Sequence, residues 1–213
     1  DMDAVIAAYV RSPFHFAHKG PLARVRPDDL AASVVKGLVA ATGIAASDIE
    51  DIIVGCAFPE GEQGFNIARI IAFLAGLPQS VAGVTINRFC GSSMQAVHAA
   101  AGAIALGAGQ AFICAGVESM SRVPMLGFNP LLNPGLMTTL PAAYMSMGTT
   151  AENVARKYGI TREAQEAFAV ASHHKAADAQ RRGSFDGEIV PLGNVAADGC
   201  IRPDTTSDAL AML

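Results

Sequence analysis

Tryptophan is absent from the 213 residues, tyrosine occurs three times and only 16% of positions are charged. So little charge, set against 51% apolar residues, excludes a disordered chain and allows a substantial buried core. Aromatics supply only 6% of the residues, so the core is left to Ala, Val, Ile, Leu and Gly. That is the composition of small-residue helices packed closely on a sheet, and it points to an α/β fold. Basic side chains are scattered and the net charge is −4, which leaves no electrostatic footprint for nucleic acid. The long uncharged stretch Gly91 to Val117 carries Ser92, Ser93, Gln95 and His98 and reads as a buried helix plus strand, not a membrane span. Cys56, Cys90, Cys114 and Cys200 lie far apart, without a Cys-x-x-Cys pair or a histidine at ligand spacing. No metal site and no disulfide framework is expected, and the thiols should be reduced. The opening Asp1-Met-Asp-Ala-Val-Ile lacks the basic-then-apolar order of a secretory leader, so a cytoplasmic location is expected.

What is present reads as alternating strands and helices. Val5–Val10, Asp51–Cys56, Val81–Asn87 and Ala111–Val117 are short apolar runs of strand length. Pro27, Asp28 and Asp29 open a helix that Gly43 ends, with Leu30, Val34, Val35, Leu38 and Val39 at helical spacing. Asn66 is placed to cap a second helix, whose face is Ile67, Ile70, Ile71 and Leu74. A third is read from Cys90, with Met94, Val97, Ala101, Ile104 and Ala105 on one side. Strand and helix alternating in this way make a parallel or mixed sheet covered by helices, over residues 1–119. Residues 120–147 are rich in proline and methionine and lack periodicity. After them come a helix with a capping box at Thr149-Thr-Ala-Glu152 and a longer one capped by Thr161 and ended by Gly183.

The strongest chemical signal is Cys90. It follows a β-branched strand directly and precedes Gly91-Ser-Ser, where the chain must turn sharply into a helix. A thiol at a helix N-terminus faces unpaired N–H groups and the positive end of the dipole, which favour the thiolate. The mechanics are those of a nucleophile elbow, with the backbone N–H of Cys90 available to an oxyanion. The alternative reading is a buried small residue in a tight turn, the usual place of a free cysteine.

The segment Asn87-Arg-Phe-Cys-Gly-Ser-Ser-Met-Gln-Ala-Val97 resembles the nucleophile motif of thiolases. Further similar segments occur in the family's order: Arg11-Ser-Pro-Phe14, Arg26-Pro-Asp-Asp-Leu30, Gly64-Phe-Asn-Ile-Ala-Arg69, Ala115-Gly-Val-Glu-Ser-Met-Ser-Arg-Val-Pro124, Met147-Gly-Thr-Thr-Ala-Glu-Asn-Val-Ala155 and Ile201-Arg-Pro-Asp-Thr-Thr206. The resemblance implies that residues 1–119 are one βαβαβαββ half of a five-layered thiolase fold, and that residues 120–213 are a partly helical loop domain that covers coenzyme A and supports oligomers. It implies an acyltransferase of the degradative 3-ketoacyl-CoA type: thiolysis of 3-oxoacyl-CoA, or the reverse Claisen condensation, through an acyl-Cys90 intermediate. No cofactor is implied beyond coenzyme A as substrate. Acyl-CoA and a homodimer or homotetramer are the implied partners. Met147 matches a residue lining the acyl and pantetheine pocket, and Arg202 an arginine at the nucleotide end of coenzyme A. Glu118 matches a strand-end position for which a structural hydrogen-bonding role is expected.

The family's Gly-His-Pro histidine and Cys-x-Gly cysteine do not occur in these residues. The chain thus reads as an N-terminal half with little or no turnover of its own, and with apolar faces that favour self-association. Two rival readings are a non-catalytic acyl-CoA-binding or dimerising module and a β-ketoacyl-synthase-like condensing enzyme. The segment Leu192–Gly199 is shorter than in many relatives. His98, His173 and His174 read as surface or packed histidines, since adjacent helical side chains diverge by about 100° and cannot share one ligand.

Overall fold

A computed structural model of the chain describes residues 4–213; the reading of the first three residues lies outside it. The chain divides into two compact units. One runs up to Asn129 and takes in Gly187–Cys200, and the other comprises Pro130–Asp186 and Ile201–Leu213. Residues 120–129 and Gly187–Cys200, read in the sequence with the second region, thus pack with the first unit. Arg122 pairs with Glu62, the Phe128 N–H donates to Glu60 (2.7 Å), and Arg11 is ion-paired to Glu188 and Asp198. These bonds hold residues 120–129 and 187–200 in the first unit.

That unit is built on three parallel strands, β1 (Asp51–Gly55), β2 (Ala82–Ile86) and β3 (Phe112–Gly116), in the order β2-β1-β3. Helices α1 (Pro27–Thr42) and α2 (Ile67–Leu74) cover one face. Ala31, Ala32 and Val35 meet Ile52, Val54, Ile67, Ile71 and Ile113 there in the main core. Helix α3 (Ser92–Ala105) covers the other, with Ala96 and Ala100 on Ile53. Alternation along β1 sends Ile52 and Val54 to one face and Ile53 to the other, as a period of two requires. Burying each such side chain contributes about 1.5–3 kcal/mol.

Several expectations need correction. Val5–Val10 forms no ladder and is exposed, Val5 at 81% and Ile6 at 76%; no described strand lies beside it, and only Arg11 makes a bridge, to Ile189. The sheet therefore has three described strands, not four. Asn66 adopts a left-handed conformation and does not cap α2 through its side chain. Its amide is turned to β2, donating to the Gly83 carbonyl (2.9 Å) and accepting from the Thr85 hydroxyl (2.8 Å). Helix α3 presents Ala96 and Ala100 to the sheet, while Met94, at 56%, and Val97 are exposed. The reason is close approach: a Cβ on Gly55 would lie 2.5 Å from backbone atoms of Ser92 and Ser93, and one on Gly116 2.8 Å from the Ser93 Cβ. Only small residues fit that side.

The second unit contains α4 (Pro134–Thr139), α5 (Met147–Tyr158), α6 (Arg162–Arg181) and α7 (Ser207–Ala211). Helix α5 is capped by Ser146, whose hydroxyl accepts from the Thr149 N–H (3.2 Å), so the helix begins two residues before the predicted capping box. Thr161 caps α6 as predicted.

Candidate active site

The three parallel strands end side by side, and three residues just beyond them lie near one another: Ala57, two residues after β1, Asn87, directly after β2, and Glu118, two residues after β3. Carboxyl ends of parallel strands are where open α/β sheets bind ligands. Asn87 leads into a turn of four residues that delivers Cys90, exposed, one residue before the N-cap Gly91. Helix α3 thus starts at Ser92, not at Cys90 as the sequence suggested. Phe89, just before the cysteine, has φ +45°, a conformation that costs a bulky residue on the order of 1–3 kcal/mol and persists only where its surroundings impose it.

Those surroundings are explicit. Ser92 is buried; its hydroxyl accepts from the Arg88 N–H (2.8 Å) and donates to the Phe89 carbonyl (2.6 Å). Asn87 accepts from the Phe89 N–H (2.8 Å) and donates to the Ala57 carbonyl (2.9 Å). The Phe89 ring rests 6.0 Å from that of Phe58. On its other side the Ala57 N–H donates to Glu118 Oε2 (2.7 Å), and Glu118 Oε1 accepts from the Gln63 amide (2.7 Å). Gln63 is wholly buried; it also donates to the Phe58 carbonyl (2.9 Å) and accepts from the Ser119 N–H (2.6 Å). Glu118 has the hydrogen-bonding role expected of it. Asn87 and Gln63 were not singled out from sequence, because Asn87 meets the Ala57 carbonyl and Gln63 meets Glu118 only through the fold; the bonds of Ser92, in the Gly-Ser-Ser turn, are local.

The cysteines differ sharply. Burial, with the nearby Glu118 charge, pushes the Cys56 thiol up to about 12, and burial also raises Cys114. Both are poor nucleophiles at neutral pH, because the thiolate is the reactive form. Cys90 alone among the four is exposed.

In the second unit Met147 stands at the first turn of α5 and is 70% exposed. Arg202 is exposed, in a turn where Thr205 donates through its hydroxyl to the Arg202 carbonyl (2.8 Å). The adjacent histidines of α6 hold this turn: the Arg202 N–H donates to His173 Nδ1 (3.1 Å), and His174 Nε2 donates to the Thr205 carbonyl (3.1 Å). They diverge as helical neighbours must, yet both reach the same segment.

A sequence model of the thiolase N-terminal domain family matches residues 4–213. The chain belongs to the thiolase family. It is 46% identical to a 3-ketoacyl-CoA thiolase of Bacillus subtilis, over 99% of this chain and 58% of that protein, and 43% identical to one of Idiomarina loihiensis, over 99% and 57%. The structure is similar to a crystal structure of the Bacillus anthracis acetyl-CoA acetyltransferase, with a TM-score of 0.86 at 33% identity, covering 99% of this chain and 58% of that one. The thiolase fold expected from the sequence is therefore shown. The chain spans somewhat over half the length of these thiolases. The alignment with the B. subtilis protein runs over 228 residues against 213 here, so within the matched span that relative carries residues this chain lacks. Among the described residues no helix is long and apolar enough to cross a membrane.

Proposed function

We propose that Cys90 carries the acyl group in thiolysis of a 3-oxoacyl-CoA by coenzyme A, as part of fatty-acid β-oxidation. The observation that carries this reading is the exposed thiol on a strained, braced turn at the carboxyl end of the sheet, in a chain of the thiolase family. Relatives named 3-ketoacyl-CoA thiolase support the substrate class. In the first step the Cys90 sulfur attacks the C3 carbonyl. The new S–C bond forms, the C2–C3 bond breaks with its electron pair on C2, and that carbon takes a proton to give acetyl-CoA. In the second, the sulfur of coenzyme A attacks the acyl-Cys90 carbonyl; the bond to Cys90 breaks and the thiolate is restored. The Cys90 N–H is suited to donate to the oxyanion of either step.

Met147 is assigned to the wall of the acyl and pantetheine pocket. Arg202 is assigned to the nucleotide end of coenzyme A, where a guanidinium pairs with phosphate or stacks on adenine. The working enzyme is read as a cytoplasmic homodimer or homotetramer. The proton transfers fall, by family resemblance, to a histidine and a second cysteine in segments that the 213 residues do not contain, so these residues alone are expected to turn over little or not at all.

Intact mass after incubation with acetyl-CoA or acetoacetyl-CoA tests the assignment. An acyl adduct is expected on the native protein and not on Cys90→Ala, and an adduct retained by Cys90→Ala overturns it. If an adduct forms only when residues carrying the Gly-His-Pro histidine are supplied, activation of the thiol resides there.

A further inference from the structure

We propose that Glu118, acting through the Ala57 peptide and Asn87, is a positioning residue for Cys90, and that only a carboxylate at this place holds the turn. The inference rests on the acyl-Cys90 reading and deepens it.

The bonds form one connected path across the ends of the three strands. Gln63 fixes Glu118, Glu118 holds the Ala57 N–H, the Ala57 carbonyl holds the Asn87 amide, and Asn87 holds the N–H of Phe89, the residue before the nucleophile. Nothing in this path is free to reverse. The Gln63 orientation is set at both ends, by the Ser119 N–H that its oxygen accepts and by the Phe58 carbonyl to which its nitrogen donates. Glu118 therefore faces two donors, one on each oxygen. A carboxylate accepts from both, whereas a glutamine must offer an NH2 group to one of them. In Glu118→Gln either the Ala57 N–H or the Gln63 amide is opposed by another donor, and the Ala57 peptide is released to shift. Its carbonyl is the anchor of Asn87, so the shift reaches the turn in which Phe89 is held at a positive φ. Acyl transfer is sensitive to such a shift because sulfur, carbonyl and oxyanion donor must align, and a displacement of about 1 Å costs on the order of a hundredfold. Simple alkylation of an exposed thiol has no such requirement.

The test compares native protein with Glu118→Gln by three readouts: acylation of Cys90 by acetyl-CoA, alkylation of Cys90 by iodoacetamide followed by peptide mapping, and amide hydrogen exchange over residues 86–93. Acylation is expected to fall roughly tenfold or more, alkylation to stay within about twofold, and exchange over 86–93 to rise while that of α1 and α2 is unchanged. Unchanged acylation overturns the proposal. So does a joint fall of acylation and alkylation with loss of protection throughout, which would make Glu118 a general stabiliser. Should the native protein take no acyl group under any condition, the reading of function fails by itself and exchange over 86–93 decides: faster exchange in Glu118→Gln upholds the link, and unchanged exchange removes it. Asn87→Ala, at an exposed position, cuts the same path one step nearer the nucleophile. It is expected to give the same pattern where Glu118→Gln does not fold, and native acylation in that variant also overturns the proposal.

Discussion

Ser92 holds two backbone groups of the nucleophile turn with a single hydroxyl, accepting from Arg88 and donating to Phe89. In Ser92→Ala the Arg88 N–H loses its partner, while the Phe89 carbonyl keeps the Ser92 N–H (3.0 Å), and an unmet group in a part-buried place costs up to about 1–3 kcal/mol. The urea midpoint is expected to fall accordingly, and acylation of Cys90 to slow, because the Phe89 conformation loses its clamp. Much of this region was legible one residue at a time: a β-branched strand, a cysteine, a glycine and two serines already define a turn into a helix. Cys90 was found that way. The bracing residues were not, and for a physical reason. Asn87 reaches Ala57 and Gln63 reaches Glu118 across 30 and 55 positions of sequence, and such pairs leave no periodic trace. Gln63 in particular reads as an ordinary polar loop residue until its burial is known.

Among the elements, α3 shows where pattern reading goes astray. Its larger apolar residues, Met94 and Val97, mark one side of the helix in the sequence, yet the side that meets the sheet is Ala96 and Ala100. Hydrophobic spacing finds a helix well and its inward side poorly when that side is made of small residues. Distance decides here, because the N-terminal turn of α3 lies against Gly55 and Gly116 with no room for a Cβ. Gly55→Ala is expected to cost about 1–3 kcal/mol or more, since the clash is with the backbone of Ser92 and Ser93 and not with a side chain that can swing away. A lowered thermal midpoint together with slower Cys90 acylation would be the result, and an unchanged midpoint would show that α3 can slide. The helices themselves were largely legible from their ends: Pro27 with Gly43, Thr161 with Gly183. The Val5–Val10 strand was misread because an apolar run records what a segment is suited to, whereas a ladder also needs a neighbour.

At the scale of the molecule, the return of Gly187–Cys200 to the first unit depends on charge. Arg11 binds Asp198 through two nitrogens (2.8 Å each) and Glu188 through a third (2.7 Å), while the Phe14 N–H also donates to Asp198 (2.8 Å). The Arg11 guanidinium holds the Asp198 carboxyl below its ordinary value. A carboxylate depressed on folding contributes stability above its unfolded value, near pH 4, and loses that contribution as the pH falls through the depressed one. Asp198→Asn is therefore expected to lower the urea midpoint at neutral pH, and the gap from the native protein to narrow as the pH falls below about 4 and through the depressed value. A gap that persists in acid would assign the effect to packing instead. The Arg11-Ser-Pro opening is legible only as a family-like segment; the partner of Arg11 in this clamp lies 187 residues away and no composition or spacing announces it.

The sheet has a further consequence in time. Its central strand comes first in the chain, and the partners it needs arrive later: Asp51 pairs with Ala82 on one side and with Phe112 on the other. Strand pairings of that reach are slow to form, since a long loop must close before any contact rewards it. During synthesis β1 leaves the ribosome with both edges open, gains one partner when β2 follows, and is enclosed only once β3 has been made. The turn that presents Cys90 lies between β2 and β3, so the nucleophile emerges before the third strand that carries its brace.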